Sequence, residues 1–281
     1  MNPIRLLAGC LLAPACAAAS ARAPATPGAH PMESVQHLRD FQVVEFRRYT
    51  VAAGARARFV RYFDTYFPEA FEQLGAMVFG QFTERGNPDR FTWLRGFHDL
   101  NARPIVNAAF YYGPLWKEHR AKVNAILPDS DDVLLLRPLH ADGGITVLPA
   151  VDPVDEADGA HGIVVAQIFA VRPGDEAAFA QRAEAALARY RGTGVRSAGV
   201  LVTLDVPNNF PQLPIRGDGP WLVWLGVVRD QAMLHGGFSA AMDAVERSLA
   251  ASGLLRGAPE RVLMDPTPRS RLRWLDGQPA P

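Results

Sequence analysis

The sequence has few cysteines, no excess of either charge and no long apolar run beyond its first 23 residues. Both cysteines, Cys10 and Cys16, lie within that leader, so a mature chain has no disulfide and no cysteine metal site. The 29 basic residues equal the 29 acidic ones, and no basic run alternates with aromatic residues. This balance excludes the electrostatic surface of a nucleic-acid-binding protein. No later stretch approaches the roughly 20 apolar residues of a spanning helix, so we expect a soluble body.

The first 23 residues are typical of an export signal. Arg5 precedes an apolar run, and Ala21 and Ala23 occupy the small-residue positions of a signal-peptidase site. We therefore expect residues 1–23 to be removed and the protein to be periplasmic or secreted. The competing interpretation is a lipid anchor attached through Cys16.

The remaining chain contains the same order of elements twice. A tether rich in alanine and proline spans residues 24–41, and residues 42–139 follow the pattern β-α-β-β-α-β of a ferredoxin-like unit. A linker at 140–161 leads into a second, diverged unit at 162–266. Residues 267–281 form a tail, whose basic residues we expect to be solvated.

Matching motifs at similar offsets support the repeat. Val51, Gly54 and Phe59 recur 120 residues later, and "WLRGFHD" at 93–99 corresponds to "WLGVVRD" at 224–230. This pattern indicates a tandem duplication. The predicted fold class is α+β, with two ferredoxin-like units that cover each other's sheets as in a dimeric α/β-barrel. Whether the units pair within one chain, as a monomeric pseudo-dimer, or between chains of a homo-oligomer stays open.

Polar side chains alternate along the first strand. Glu45, Arg47 and Tyr49 share one face, whereas Val44 and Phe46 share the other. We expect the apolar face to pack on helices and the polar face to line the inside of the barrel, which predicts a ligand cavity there. The further candidate lining residues are Trp93, Arg95, Tyr111, Tyr112, Trp116 and Gln167.

The polar face of this strand admits two interpretations. The planar fork of Arg47 and the hydroxyl of Tyr49 suit the carboxylate or other polar end of a ligand. Alternatively, an internal pair between Glu45 and Arg47 merely satisfies the lining.

Motifs of metal and serine enzymes are absent. There is no His-Glu-x-x-His run and no Gly-x-Ser-x-Gly turn. The polar surroundings of His98 and His119 indicate surface positions, so we expect no haem, no other cofactor and no metal.

The first unit resembles NIPSNAP domains over roughly residues 42–138. The residues that match the opening strand and turn of that family are Glu45, Arg47, Tyr49, Thr50 and Gly54. In the second unit Gln167 and Phe169 replace the arginine and the tyrosine. The resemblance implies a dimeric α/β-barrel but no catalytic residues, because the family has no agreed ones.

Three functions are compatible with these features. The first is an exported protein that binds a small, largely apolar ligand in a barrel cavity without transforming it. The second is a cofactor-independent monooxygenase-like enzyme, since related families use this scaffold for such chemistry. The third is a structural or interaction protein whose barrel is filled.

Overall fold

Eight strands form a closed barrel with helices on its outside. The computed structural model describes residues 40–147 and 160–275. The leader, both cysteines and most of the tether lie outside the described residues, as do residues 148–159 and 276–281. In the described part, no helix combines the length and the hydrophobicity needed to cross a membrane.

The first half of the barrel has the predicted order of elements. They are β1 (Val43–Thr50), α1 (Arg56–Tyr66), α2 (Pro68–Gln73), β2 (Met77–Glu84), β3 (Arg90–Phe97), α3 (Ala102–Tyr111), α4 (Pro114–Asn124) and β4 (Asp129–Pro138). Pro68 and Pro114 each begin a helix after a break, because proline fits the first helical turn but not a helix interior. The helices bury a stripe that includes Phe59, Phe63 and Phe71.

The second half repeats this order. It consists of β5 (Ile163–Ala170), α5 (Glu176–Leu187), a short 3₁₀ turn (Ala188–Tyr190), β6 (Arg196–Thr203), β7 (Trp221–Val228), α6 (Gln231–His235), α7 (Gly237–Ala250) and β8 (Glu260–Pro266). Asp230 caps α6, since its Oδ1 accepts a hydrogen bond of 2.9 Å from the backbone N–H of Met233. The prediction of two ferredoxin-like units is therefore confirmed.

The two halves join edge to edge within one chain. The strand order around the barrel is β1-β3-β2-β8-β5-β7-β6-β4, and β4 returns to β1. At one junction Glu84 of β2 lies opposite Met264 of β8, and at the other Leu136 of β4 lies opposite Thr203 of β6. Closure leaves no free sheet edge, so every strand is flanked by two others.

The predicted assignment of the two strand faces was wrong. Val44 and Phe46 pack inside the barrel, whereas Tyr49 and Trp93 pack against the helices. The interior is filled with apolar side chains from both halves, among them Leu94, Leu134, Leu136, Val164, Ala166, Val223, Leu225 and Met264. Strands form most of the wall of this interior, whereas the helices supply polar partners on the outer face.

Three segments predicted to lie outside the two units also enter the barrel core. They are represented by Phe41 from the tether, Ile145 from the linker and Leu272 from the tail. A methyl group at Gly96 would lie 2.5 Å from the Phe79 ring, so the missing side chain makes room for this packing. The prediction of a solvated tail was wrong for its described part.

The tail fastens the second half of the chain to the helices of the first. Arg271 pairs with Glu72 of α2 at 2.8 Å, and Arg269 bonds to Glu69 and to the backbone carbonyl of Asp64. The buried carboxylate of Asp64 accepts a hydrogen bond of 3.1 Å from Thr267.

The protonation of Asp64 should make stability depend on pH. Burial raises its pKa to about 6, although hydrogen bonds from Thr267 and Gln81 oppose this. The folded chain therefore holds the proton more tightly than the unfolded chain, and this stabilisation is full below about pH 4 and disappears as the pH rises through 6. Between pH 4 and pH 6 we expect ionisation of Asp64 to lower the free energy of unfolding by roughly 2–3 kcal/mol. Urea unfolding of the wild type and of Asp64→Asn at each pH measures this change, because only the wild type should show it. Identical pH profiles for the two proteins would contradict this assignment.

Candidate functional site

A cavity of about 370 Å³ lies between the outer face of the first half-sheet and its helices. Its lining includes Arg47, Tyr49 and Trp93 from the strands and Phe67, Phe71, Phe110, Tyr111, Tyr112 and Trp116 from the helical layer. This volume is far above the roughly 10–15 Å³ that a single buried water molecule needs. It is therefore too large for a packing defect and falls in the range of small-molecule sites.

The cavity lies where both helical segments are interrupted. Phe67 separates α1 from α2, and Gly113 precedes α4 with an extended backbone. These breaks bring Phe67 and Trp116 to a ring-centroid distance of 6.3 Å on the cavity wall. The two prolines at these breaks, Pro68 and Pro114, thus help to shape the site.

A loop from the second half closes the cavity. It connects β6 to β7, and Phe210, Gln212 and Leu213 of this loop line the cavity. Asn209 anchors the loop by donating a hydrogen bond of 2.6 Å to the carbonyl of Leu100 in the first half. The site is therefore built from both halves of the chain.

A buried ion cluster forms the base of the site. Glu45 Oε2 accepts hydrogen bonds from Arg47 Nη1 at 2.8 Å and Arg95 Nε at 2.7 Å, and its Oε1 accepts one from Arg103 Nε at 2.7 Å. All four side chains are at most 1% exposed. Arg47 also donates through Nε to the Tyr49 hydroxyl at 2.8 Å, so the cluster positions the polar groups that face the cavity.

The cluster keeps Glu45 ionised. Burial by itself would raise the pKa of Glu45, but the attraction of Arg95, Arg47 and Arg103 outweighs it and holds the pKa far below its ordinary value. The internal Glu45–Arg47 pair considered from the sequence is thus present. It occupies Nη1 of Arg47, and the same side chain also lines the cavity.

The structure brings most of the predicted site residues together, but on the helix side of the sheet and not in the barrel. Those that line the cavity are Arg47, Tyr49, Trp93, Tyr111, Tyr112 and Trp116. Glu45 and Arg95 belong to the ion cluster. Gln167 lies in the other half, where it bonds to Glu246 at 2.6 Å and to Tyr190.

Two contributors were missed from the sequence. Arg103 occupies the buried stripe of α3 together with Val106, Asn107 and Phe110, and a charge on such a stripe was the available signal. Arg103 Nη1 donates to Asn208 and Asn209 of the closing loop at 2.9 and 2.8 Å. The sequence showed the length of this loop but not where it packs.

The second half has the same strand register as this site but lacks its charged residues. The strand register pairs Glu45 with Arg95, and the corresponding pair in the second half is Val165 with Gly226. A methyl group at Gly226 would lie 2.2 Å from the Trp224 ring, so that ring occupies the space beside the strand. The equivalent region is a packed apolar core.

A larger cavity of about 850 Å³ lies along the seam between the halves. Arg216 on its wall pairs with Asp218 at 2.7 Å and with Asp132 at 3.3 Å. Arg137 bonds to the carbonyls of Pro138 and Leu139. Because these charges have partners, this cavity has less to offer a specific ligand.

His119 lies inside the helical layer, so its predicted surface position was wrong. It is 4% exposed, its ring lies 4.3 Å from that of Tyr66, and its Nδ1 bonds to the hydroxyl of Tyr62. His98 is exposed, as predicted. Across residues 40–147 and 160–275, no three histidine, cysteine or acidic side chains are arranged to bind a metal ion. The absence of haem stays a prediction.

Residues 44–140, which span the first half of the barrel, match the NIPSNAP family model. The resemblance read from the opening strand is confirmed for this part of the chain. No curated protein matches the sequence significantly.

Solved structures share the fold of the whole barrel. The protein named "Putative monooxygenase" from Fusobacterium nucleatum has a TM-score of 0.53 at 12% identity, and covers 85% of this chain and 98% of its own. A protein of the same description from Lactobacillus acidophilus has a TM-score of 0.51 at 12% identity, covering 84% and 98%. An "anthrone oxidase-like protein" has a TM-score of 0.51 at 11% identity, covering 84% and 97%. These identities establish the shared fold alone.

Removing the carboxylate of the cluster should strongly destabilise the chain. We expect Glu45→Gln to lower the free energy of unfolding by about 3–5 kcal/mol, because three buried guanidinium groups lose their common partner. Guanidinium chloride unfolding measures the change.

The matched control is Glu260→Gln. Glu260 is 47% exposed, and its partner Arg48 also bonds to Glu84, so the loss should stay below about 1 kcal/mol. Equal losses of unfolding free energy in the two variants would show that the buried cluster contributes no more to stability than an exposed ion pair.

Proposed function

We propose that this chain is an exported NIPSNAP-domain protein that binds a small, largely apolar ligand in the cavity beneath the helices of its first half, without a catalytic step. The observation that carries the proposal is the 370 Å³ cavity with aromatic walls, at whose base Arg47 and Tyr49 converge. Apolar walls with a few fixed polar groups are the usual construction of a small-molecule site.

The filled barrel interior gives partial support to the alternative of an interaction protein. That alternative does not account for the cavity outside the barrel wall, which a purely structural domain would be expected to fill. In the second half the equivalent space is packed with Tyr190, Trp224 and Phe238. We infer that the second half supports the site through its closing loop and is not a second site.

Export is the second part of the proposal. It rests on the leader at residues 1–23, with lipid anchoring through Cys16 as the alternative. In either case the ligand would be met outside the cytoplasm.

Oxidation of the bound molecule is the candidate enzymatic function. The neighbours named as monooxygenases and as anthrone oxidase-like share this scaffold, and Arg47 with Tyr49 would stabilise a deprotonated phenol or enol in the cavity. Incubation with anthrone under air, followed with an oxygen electrode, separates the two functions. Uptake that Arg47→Gln abolishes favours the enzyme, and binding without uptake favours the binding protein.

Filling the cavity should prevent binding of an apolar probe. We expect the neutral dye N-phenylnaphthylamine to bind the full chain with a rise in fluorescence, and we expect Leu213→Trp to weaken binding at least roughly tenfold by occupying the cavity. The control is Leu74→Trp, because Leu74 is 38% exposed and lines neither cavity.

Comparable dye binding by Leu213→Trp and the wild type would place the dye elsewhere and contradict the proposed site. Circular dichroism of each variant shows whether it has retained the fold.

A further inference from the structure

The buried ion cluster contains more positive than negative charge. Arg47, Arg95 and Arg103 share the single carboxylate of Glu45, and no second carboxylate among the described residues forms an ion pair with any of the three. Two of the three guanidinium charges therefore lack a counter-ion within the cluster. Charges taken out of water are costly unless they are paired, so this surplus calls for a partner.

Several donors of the cluster also lack an acceptor. Both Nη atoms of Arg95, Nη2 of Arg103 and Nε1 of Trp93 are buried and have no hydrogen-bond partner among the described residues. Arg47 uses Nε and Nη1, and its Nη2 has no hydrogen bond to another described residue. Buried donors are almost always satisfied in proteins, so the cluster is short of acceptor atoms as well as of negative charge.

The cavity wall, like the cluster, carries more positive than negative charge. Arg47 and Arg120 are among the residues that line it, and no lining residue is aspartate or glutamate. The guanidinium of Arg95 lies 4.8 Å from the ring centroid of Phe71 and 5.1 Å from that of Trp93, and both rings line the cavity. By contrast, the wall of the seam cavity contains Glu176 and Asp205 beside its arginines.

The second half shows that the fold does not require these charges. Its residues at the positions of Glu45, Arg47 and Arg95 are Val165, Gln167 and Gly226. The same strand register and helix packing form there without a buried arginine at these positions. The positive surplus is thus a property of the site and not of the barrel.

We propose that the ligand of this site is an anion: an apolar, planar molecule whose carboxylate binds Arg47 and supplies negative charge that the cluster lacks. This inference rests on the proposed function and adds the chemical class of the ligand. Arg47 makes the first contact through its unused Nη2, with the hydroxyl of Tyr111 as a second donor on the same wall. Burial raises the pKa of Tyr111, so this hydroxyl remains a neutral donor. The aromatic wall accommodates the apolar body.

Naphthoate and naphthamide test this inference, because they share a shape and differ in charge. Isothermal titration of the full chain should show naphthoate binding roughly ten- to a hundredfold more tightly than naphthamide. Arg47→Gln should reduce naphthoate affinity to about that of the amide and so abolish the preference for the charged probe. In this variant Glu45 keeps Arg95 and Arg103, so no buried carboxylate is left unpaired.

Two further variants complete the experiment. Arg47→Lys retains the charge and should retain a preference for naphthoate. This variant keeps the inference testable if Arg47→Gln fails to fold. Arg216→Gln removes an arginine from the seam cavity and should change neither affinity.

Equal affinity for the two probes, or a preference for the amide, overturns the inference. Binding of N-phenylnaphthylamine without binding of naphthoate also overturns it, while the proposed apolar site stands. If none of the three molecules binds, both proposals fail.

Discussion

Closure of the barrel buries both faces of the strands, and this constraint decides where each polar residue can lie. One face of the sheet meets the opposite strands, which offer apolar side chains from both halves. The other face meets helices, which can provide polar partners such as Arg103 for Glu45. The Glu45 cluster therefore lies under the helices, and the cavity forms beside it because that layer is interrupted by two prolines.

The two halves have the same arrangement of sheet and helices but fill the space between them differently. In the second half the space between sheet and helices is filled by large rings, including Trp224 and Phe238. In the first half the same space contains a cluster of four charged side chains and an open volume. A tandem duplication allows this division, since one copy can preserve packing while the other carries a site whose charges cost stability.

Segments outside the strands also connect the halves. The loop between β6 and β7 bonds to Arg103 and closes the cavity, and the tail after β8 pairs Arg271 with Glu72. These contacts add to the two junctions at which strands of the two units pair, β2 with β8 and β4 with β6. A movement of one half relative to the other would therefore alter the wall of the site.

The sequence by itself determined the order of the elements, the duplication and the resemblance of the first unit, because periodicity and motif offsets are local properties of the chain. It also singled out Arg47, Tyr49 and Trp93, since alternation along a strand shows which residues share a face. Only the tertiary structure decided whether that face points to the helices or into the barrel. In a strand that is buried on both sides neither face is exposed to water, so the residue pattern does not distinguish them. The contacts of Arg103, the closing loop and the tail were likewise decided by the tertiary structure, since they join residues up to about 200 positions apart.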